Sequence, residues 1–256
     1  MRRLLTLLAL MFLGIPLHAQ YAADTLSRST FRASQLIAPA LLGGAGLLVH
    51  YTAHESVEVP VYESSKGCLG DATPYVSVAG DVLRFAPSAA HIGLGLVGVK
   101  SDLGFGDRAL ESFIAHGICV GAGYAAKYIF RVTRPDGSDT KSFPSGHATV
   151  AFTGAELMRM DYGNLWGAGA YVLSSGVALS RLNAGRHWFS DLLAGAGLGI
   201  LSAHAGRWLL EPVKSLFGFP EWTWDGLSGQ GSVQAAFVPC ADPLSGTPMA
   251  GVAVRF

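Results

Sequence analysis

Residues 144–160 read PSGHATVAFTGAELMRM, and residues 180–200 read SRLNAGRHWFSDLLAGAGLGI. Each sets a short polar segment against the end of an apolar run rich in glycine and alanine. Similar helix-like stretches occur at about 34–52, 82–99, 109–130, 148–160, 164–180 and 188–210. Segments rich in Gly, Pro and Asp separate them at 100–107, 135–146 and 182–186. Residues 53–80 form a longer polar connection, in which Pro60, Gly67, Gly70 and Pro74 act as breakers. The pattern predicts an all-α bundle of about six helices over residues 20–210. The tail, 211–256, changes character. Val233, Ala235 and Phe237 alternate with other residues, and Val252, Val254 and Phe256 do the same. That alternation predicts a short C-terminal β-hairpin capping the helical body. Two strands cannot close a membrane barrel.

Composition narrows the function classes. Half of the 256 residues are hydrophobic and only 14% are charged, which excludes a disordered chain. The 33 glycines suit closely packed helices of the kind found in membranes. Eighteen Lys and Arg balance eighteen Asp and Glu, so no general pull on nucleic acid is expected. Any anion site has to be local. Cys68, Cys119 and Cys240 lack metal-ligand spacing; Cys68 and Cys240 lie in polar stretches where they could pair in an oxidising compartment. At the N-terminus, Arg2 and Arg3 precede the apolar run Leu4–Leu17, and Ala19 precedes polar Gln20. Residues 1–19 therefore read as a cleaved secretory signal, with an uncleaved anchor as the alternative.

Three clusters carry the chemistry. They are Lys127 with Arg134 and Pro135, then Pro144-Ser145-Gly146-His147, then Ser180-Arg181 with His187 and Asp191. Taken singly, each has an ordinary structural reading: snorkelling cations, a helix start with Ser145 as N-cap, a local His–Asp pair. Taken together, each falls at the end or start of an apolar helix, and an up-and-down bundle brings those ends to one face. Three permanent cations gathered there repel one another unless an anion fills the site. Lys127 supplies a point charge, Arg134 and Arg181 planar forks, and Ser145 and Gly146 the donors of a helix N-terminus, a set that suits phosphate. Asp191, one turn after His187, can hold its Nδ1 hydrogen and leave Nε2 as nucleophile. His147 is the candidate general acid. No carboxylate cluster suggests Mg²⁺ or Zn²⁺, so neither metal nor cofactor is expected at this site.

The order K-x6-R-P, P-S-G-H, S-R-x5-H-x3-D resembles the signature of the type-2 phosphatidic acid phosphatase superfamily, which includes bacterial acid phosphatases and vanadium haloperoxidases. All eleven specified positions match, from Lys127 to Asp191. The resemblance implies a metal-independent phosphatase working through a phosphohistidine at His187, with Asp191 as its partner and His147 as proton donor. Lys127, Arg134, Ser145, Gly146 and Arg181 would hold the phosphate. Phe143, the Arg186-His187-Trp188 run and the residues after Asp191 look most like envelope phosphatases of Bacteroidetes-type bacteria, some of which act on lipid A. Arg131, Lys141 and Arg186 are extra cations that either suit a multiply charged head group or are solvated loop charges.

The expected substrate is a lipid phosphate or diphosphate of the lipid A, undecaprenyl diphosphate or phosphatidate type. The expected place is the inner membrane with the site facing the periplasm. The alternatives are a soluble periplasmic acid phosphatase, a vanadate-dependent haloperoxidase and a non-catalytic phospholipid binder. One tension stands. If 34–52, 82–99 and 109–130 all span, and the signal is cleaved, the site faces the cytoplasm. A soluble or peripheral bundle, a first helix that does not cross, or an uncleaved signal would each resolve it.

Overall fold

The fold is taken from a computed structural model that describes residues 31–217 and the backbone of 234–241 and 248–255. The expected signal segment, 1–19, lies outside the described residues, as does the side chain of Cys240 and with it the proposed pairing to Cys68. After a 3₁₀ turn at Ala33–Leu36 come α1 (Ile37–Thr52), α2 (Val59–Ser65), α3 (Thr73–Leu83), α4 (Ala86–Gly93), α5 (Phe105–Phe130), α6 (Gly146–Tyr162), α7 (Asn164–Asn183) and α8 (Phe189–Phe217).

The centre of the bundle is α8, which packs on α1, α5 and α6. Its glycines explain how three helices crowd one. A Cβ on Gly195 would stand 2.7 Å from the Ser145 carbonyl oxygen, one on Gly199 2.5 Å from that of Thr149, and one on Gly197 2.8 Å from the backbone of Gly43. The missing side chains let the backbones touch. Thr153 uses that proximity to donate across to the Gly199 carbonyl at 3.2 Å. Phe152, Leu182, Phe189, Leu192 and Ile200 fill the space between α6, α7 and α8. Gly163, at φ +87°, is the single residue joining α6 to α7, a backbone setting that suits glycine.

Two readings of the sequence need correction. The stretch 82–99 is not one helix. Pro87 stands in the first turn of α4, so the chain restarts there after Phe85, and α3 and α4 are separate short helices. Pro74, read above as a breaker, likewise opens α3, and the polar connection holds two short helices. The second correction concerns the fold class. The body described at residues 31–217 is helical and contains no strand, so a β-hairpin is no part of the bundle's architecture. Farther on, only a backbone pairing of Gln234–Ala241 with Pro248–Arg255 is described, and it places no cap on the helices. The physical reason is that the helices close the core among themselves around α8, whereas an isolated two-stranded ribbon is marginally stable on its own.

Two helical segments, Ala33–Thr52 and Phe105–Phe130, are long and apolar enough to cross a membrane, with only 11% and 17% of their most apolar windows buried. Leu41, Leu48, Phe113, Tyr124 and Ile129 point outward from them.

Candidate active site

The site is assembled at helix ends. Lys127 lies in the last turn of α5, which closes at Arg131 in the left-handed conformation, φ 48°. Lys127 Nζ donates to the carbonyls of Lys141 at 2.8 Å and Pro144 at 2.6 Å, tying the helix end to the loop that carries the serine and glycine. Ser145 is the residue before α6, but its hydroxyl makes no capping bond. That oxygen is buried and has no partner. An orphaned hydroxyl beside a helix N-terminus suits an anion's oxygen. Gly146, next along, leaves open space where a side chain would stand.

His187 and Asp191 flank the start of α8. His187 Nδ1 lies 3.3 Å from Asp191 Oδ2, and Arg134 Nη1 lies 3.4 Å from His187 Nε2. A guanidinium only donates, so this arrangement fits a neutral imidazole with hydrogen on Nδ1 and a lone pair on Nε2. Asp191 is fully buried and further held by the Trp188 backbone N–H at 2.7 Å and the Ser142 hydroxyl. The Ser145 backbone N–H donates to the Asp191 carbonyl at 2.9 Å, so the start of α6 and the start of α8 are fixed to each other. Burial pulls the His187 imidazole below its ordinary pKa, while the Asp191 carboxylate works against that.

The other half of the site surrounds His147. Its Nε2 lies 2.6 Å from Asp81 Oδ1, 3.1 Å from Arg84 Nη1 and 3.3 Å from Arg181 Nη1. Arg181 also donates to Asp81 at 2.8 Å and to the Ser77 hydroxyl at 2.7 Å. Burial, followed by the Arg181 charge, drives the His147 pKa down to about 4, with Asp81 acting in the opposite sense. Burial pushes the Asp81 carboxyl up, but the His147 bond and the Arg181 charge outweigh it and hold Asp81 below the usual carboxylate range. The two halves are joined through the consecutive residues 145–147.

Seven of the eight residues singled out from the sequence thus fall into two linked hydrogen-bonded groups, and Gly146 lies between Ser145 and His147 where the groups join. Four others were not foreseen: Ser77, Asp81, Arg84 and Ser142. A usable signal existed for two of them, since Asp81 and Arg84 are the only Asp, Glu, Lys or Arg between residues 72 and 99. The extra cations sit differently. Arg186 pairs with Asp136 at 3.2 Å, Lys141 lies over the Tyr128 ring, and Arg131 donates to the Tyr128 carbonyl at 3.2 Å. They are engaged locally, as loop charges are.

The helix ends thus gather imidazoles, guanidiniums and a helix N-terminus, a set of donors suited to an anion. Residues 108–213 match the PAP2 superfamily. The chain is also similar to a protein named lipid A 1-phosphatase from Porphyromonas gingivalis, 32% identical over 135 residues. That match covers 51% of this chain and 30% of the relative, so the chain aligns with under a third of the relative's length. No solved structure matches the chain.

Proposed function

We propose that the protein is a membrane-bound lipid phosphatase of the cell envelope that hydrolyses a phosphate ester through a phosphohistidine at His187. The observation that carries this is the setting of His187, with Nδ1 3.3 Å from Asp191 Oδ2 and Nε2 3.4 Å from Arg134 Nη1. A phosphate bound by Lys127, Arg134, Arg181, Ser145 and the Gly146 backbone would present its phosphorus to Nε2. The Nε2 lone pair forms the N–P bond as the P–O bond to the lipid breaks. His147 gives its proton to the departing oxygen, then takes one from the water that attacks the phosphohistidine and releases inorganic phosphate. Burial, then the charges of Arg181 and Arg84, disfavour the protonated His147, and a bound phosphate dianion would act in the opposite sense.

The lipid part of the reading rests on the relative's name and on the two outward-facing apolar helices. A lipid A type head group is the leading substrate, ahead of undecaprenyl diphosphate and phosphatidate. We place the site on the periplasmic side. The stretch 82–99 is not a continuous helix, and among the described residues the helical segments long and apolar enough to cross are Ala33–Thr52 and Phe105–Phe130.

The test is phosphate release by the purified chain in EDTA, offered lipid A, undecaprenyl diphosphate and p-nitrophenyl phosphate in parallel. Release from a lipid that disappears in His187→Ala is expected. Release from p-nitrophenyl phosphate alone would turn the reading to a small-ester acid phosphatase. No release from any of the three, in folded protein, would refute the enzyme reading. In Asp191→Asn the rate should fall about 10²–10⁴-fold, because the imidazole loses its orienting acceptor.

A further inference from the structure

A second constellation lies outside the phosphate site, where the end of α1 meets the start of α8. His50, His54 and Glu58 are spaced four residues apart. On a straight α-helix such residues drift by about 40° per step. Here the backbone widens into a π-turn over His54–Glu58, with the Glu58 N–H reaching back to the Ala53 carbonyl at 3.4 Å. The wider turn rotates Glu58 back beneath the two imidazoles. His50 Nδ1 lies 3.3 Å and His54 Nδ1 2.6 Å from the same oxygen, Glu58 Oε2. The three donor atoms all lie within 4.8 Å of one another. Turns of this kind inside helices recur at functional sites.

Glu58 is fully buried, and its other oxygen accepts the Ser190 backbone N–H at 3.0 Å. Among the described residues no lysine or arginine pairs with it. The contrast with the other buried cluster is instructive. His91, Glu111 and Asp161 also converge, but Arg207 stands among them and supplies the cation. The groups in reach of the Glu58 carboxyl are two imidazole nitrogens and the Ser190 backbone N–H. A divalent cation among the three donors would supply here the positive charge that Arg207 supplies in the other cluster.

We infer that His50 Nδ1, His54 Nδ1 and Glu58 Oε2 form a binding site for one zinc-class divalent transition-metal ion. Two imidazoles and one carboxylate are a donor set zinc uses, and the set leaves a fourth position for water. Ligand atoms about 2.0–2.2 Å from a tetrahedral ion stand about 3.4 Å apart. The His50–Glu58 separation already has that value, and the His54 contact opens by under 1 Å to reach it. The supporting shell is present too. The His54 ring packs at 4.7 Å on Trp188, and Ser190 fixes the far oxygen of Glu58. The ion would fix the turn that follows α1, which meets the segment 187–191 through Ser190 and Trp188, without touching the reacting phosphate. It goes beyond the phosphatase reading and does not depend on it, since binding is measured without turnover.

The experiment uses the full chain in detergent, stripped with EDTA and exchanged into chelator-free buffer. Zn²⁺ is titrated calorimetrically, and Co²⁺ by its visible absorption. One equivalent of Zn²⁺ is expected in the wild type and in His187→Ala, with at least tenfold weaker binding in His50→Ala and in His54→Ala. No binding in the wild type overturns the site, as does equal binding in the folded double variant. Loss of binding in His187→Ala would assign the metal to the phosphate site and overturn it as well. Should the double variant fail to fold, X-ray absorption on the Zn-loaded wild type decides. Two imidazole nitrogens with carboxylate oxygen support the site, and a shell without imidazole refutes it.

Discussion

Asp81 sets a carboxylate among the cations, between two groups that a phosphate would also bind. Its Oδ1 lies within hydrogen-bond reach of both His147 and Arg181. Asp81→Asn should therefore tighten product inhibition by inorganic phosphate several-fold, since an anion no longer competes for Arg181. It should also move the His147 pKa further down, because Asp81 is what raises it. An inhibition constant and a pH–rate profile check both, and an unchanged phosphate constant would remove Asp81 from the site's electrostatics. His147 has a consequence for stability as well. Its ordinary pKa is 6.5 and its folded value about 4. The unfolded chain takes up the proton first, so the ligand-free protein loses stability as pH falls from about 6.5 towards about 4. His187, lowered in the same sense, adds to the loss. In His147→Gln the drop in melting temperature between pH 7 and pH 5 should shrink, as a pair of thermal scans would reveal.

At the scale of elements, the glycines of α8 set the spacing of the bundle. Gly199→Val would push a branched side chain into the Thr149 carbonyl and the Thr153 N–H, 2.5 and 2.9 Å from the new Cβ. Backbone cannot yield there as a flexible side chain would. A loss of about 1–3 kcal/mol is expected, read from the unfolding midpoint. Gly169→Ala, in open space on α7, should be neutral or slightly stabilising through helix propensity. The long helices were legible because their apolar runs are bounded by clear breakers. The broken pair α3 and α4 was not. A proline in the first turn looks like a stop signal in sequence, and only the backbone on either side reveals it as a start.

Over the whole molecule, one buried network ties four helices together. Arg207 of α8 pairs with Glu111 of α5 at 2.5 Å and with Asp161 of α6, and Asp161 in turn bonds His91 of α4 at 2.5 Å. Arg207→Leu would strand two carboxylates in the core, and a loss of about 3–5 kcal/mol is expected in a denaturation series. An intact midpoint would show that the carboxylates find other partners. The proposed periplasmic placement of the site has its own test. A cysteine at Asp139, whose side chain is 44% exposed beside the site, should react with a membrane-impermeant maleimide added to cells with a permeabilised outer membrane. Protection until the inner membrane is opened would put the site on the cytoplasmic side.

The sequence by itself determined the helical character of the body and the set of chemical groups at its centre. Apolar periodicity and residue identity are local properties, and the eleven motif positions are written in order along the chain. Tertiary structure alone decided which further groups join them. Asp81 meets Arg181 across a hundred residues, and Ser142 meets Asp191 across forty-nine. It also decided that the hairpin is no part of the bundle, and that Glu58 turns beneath two histidines. Each of these depends on how backbones approach one another, and that is set by packing between helices rather than by spacing within any one of them.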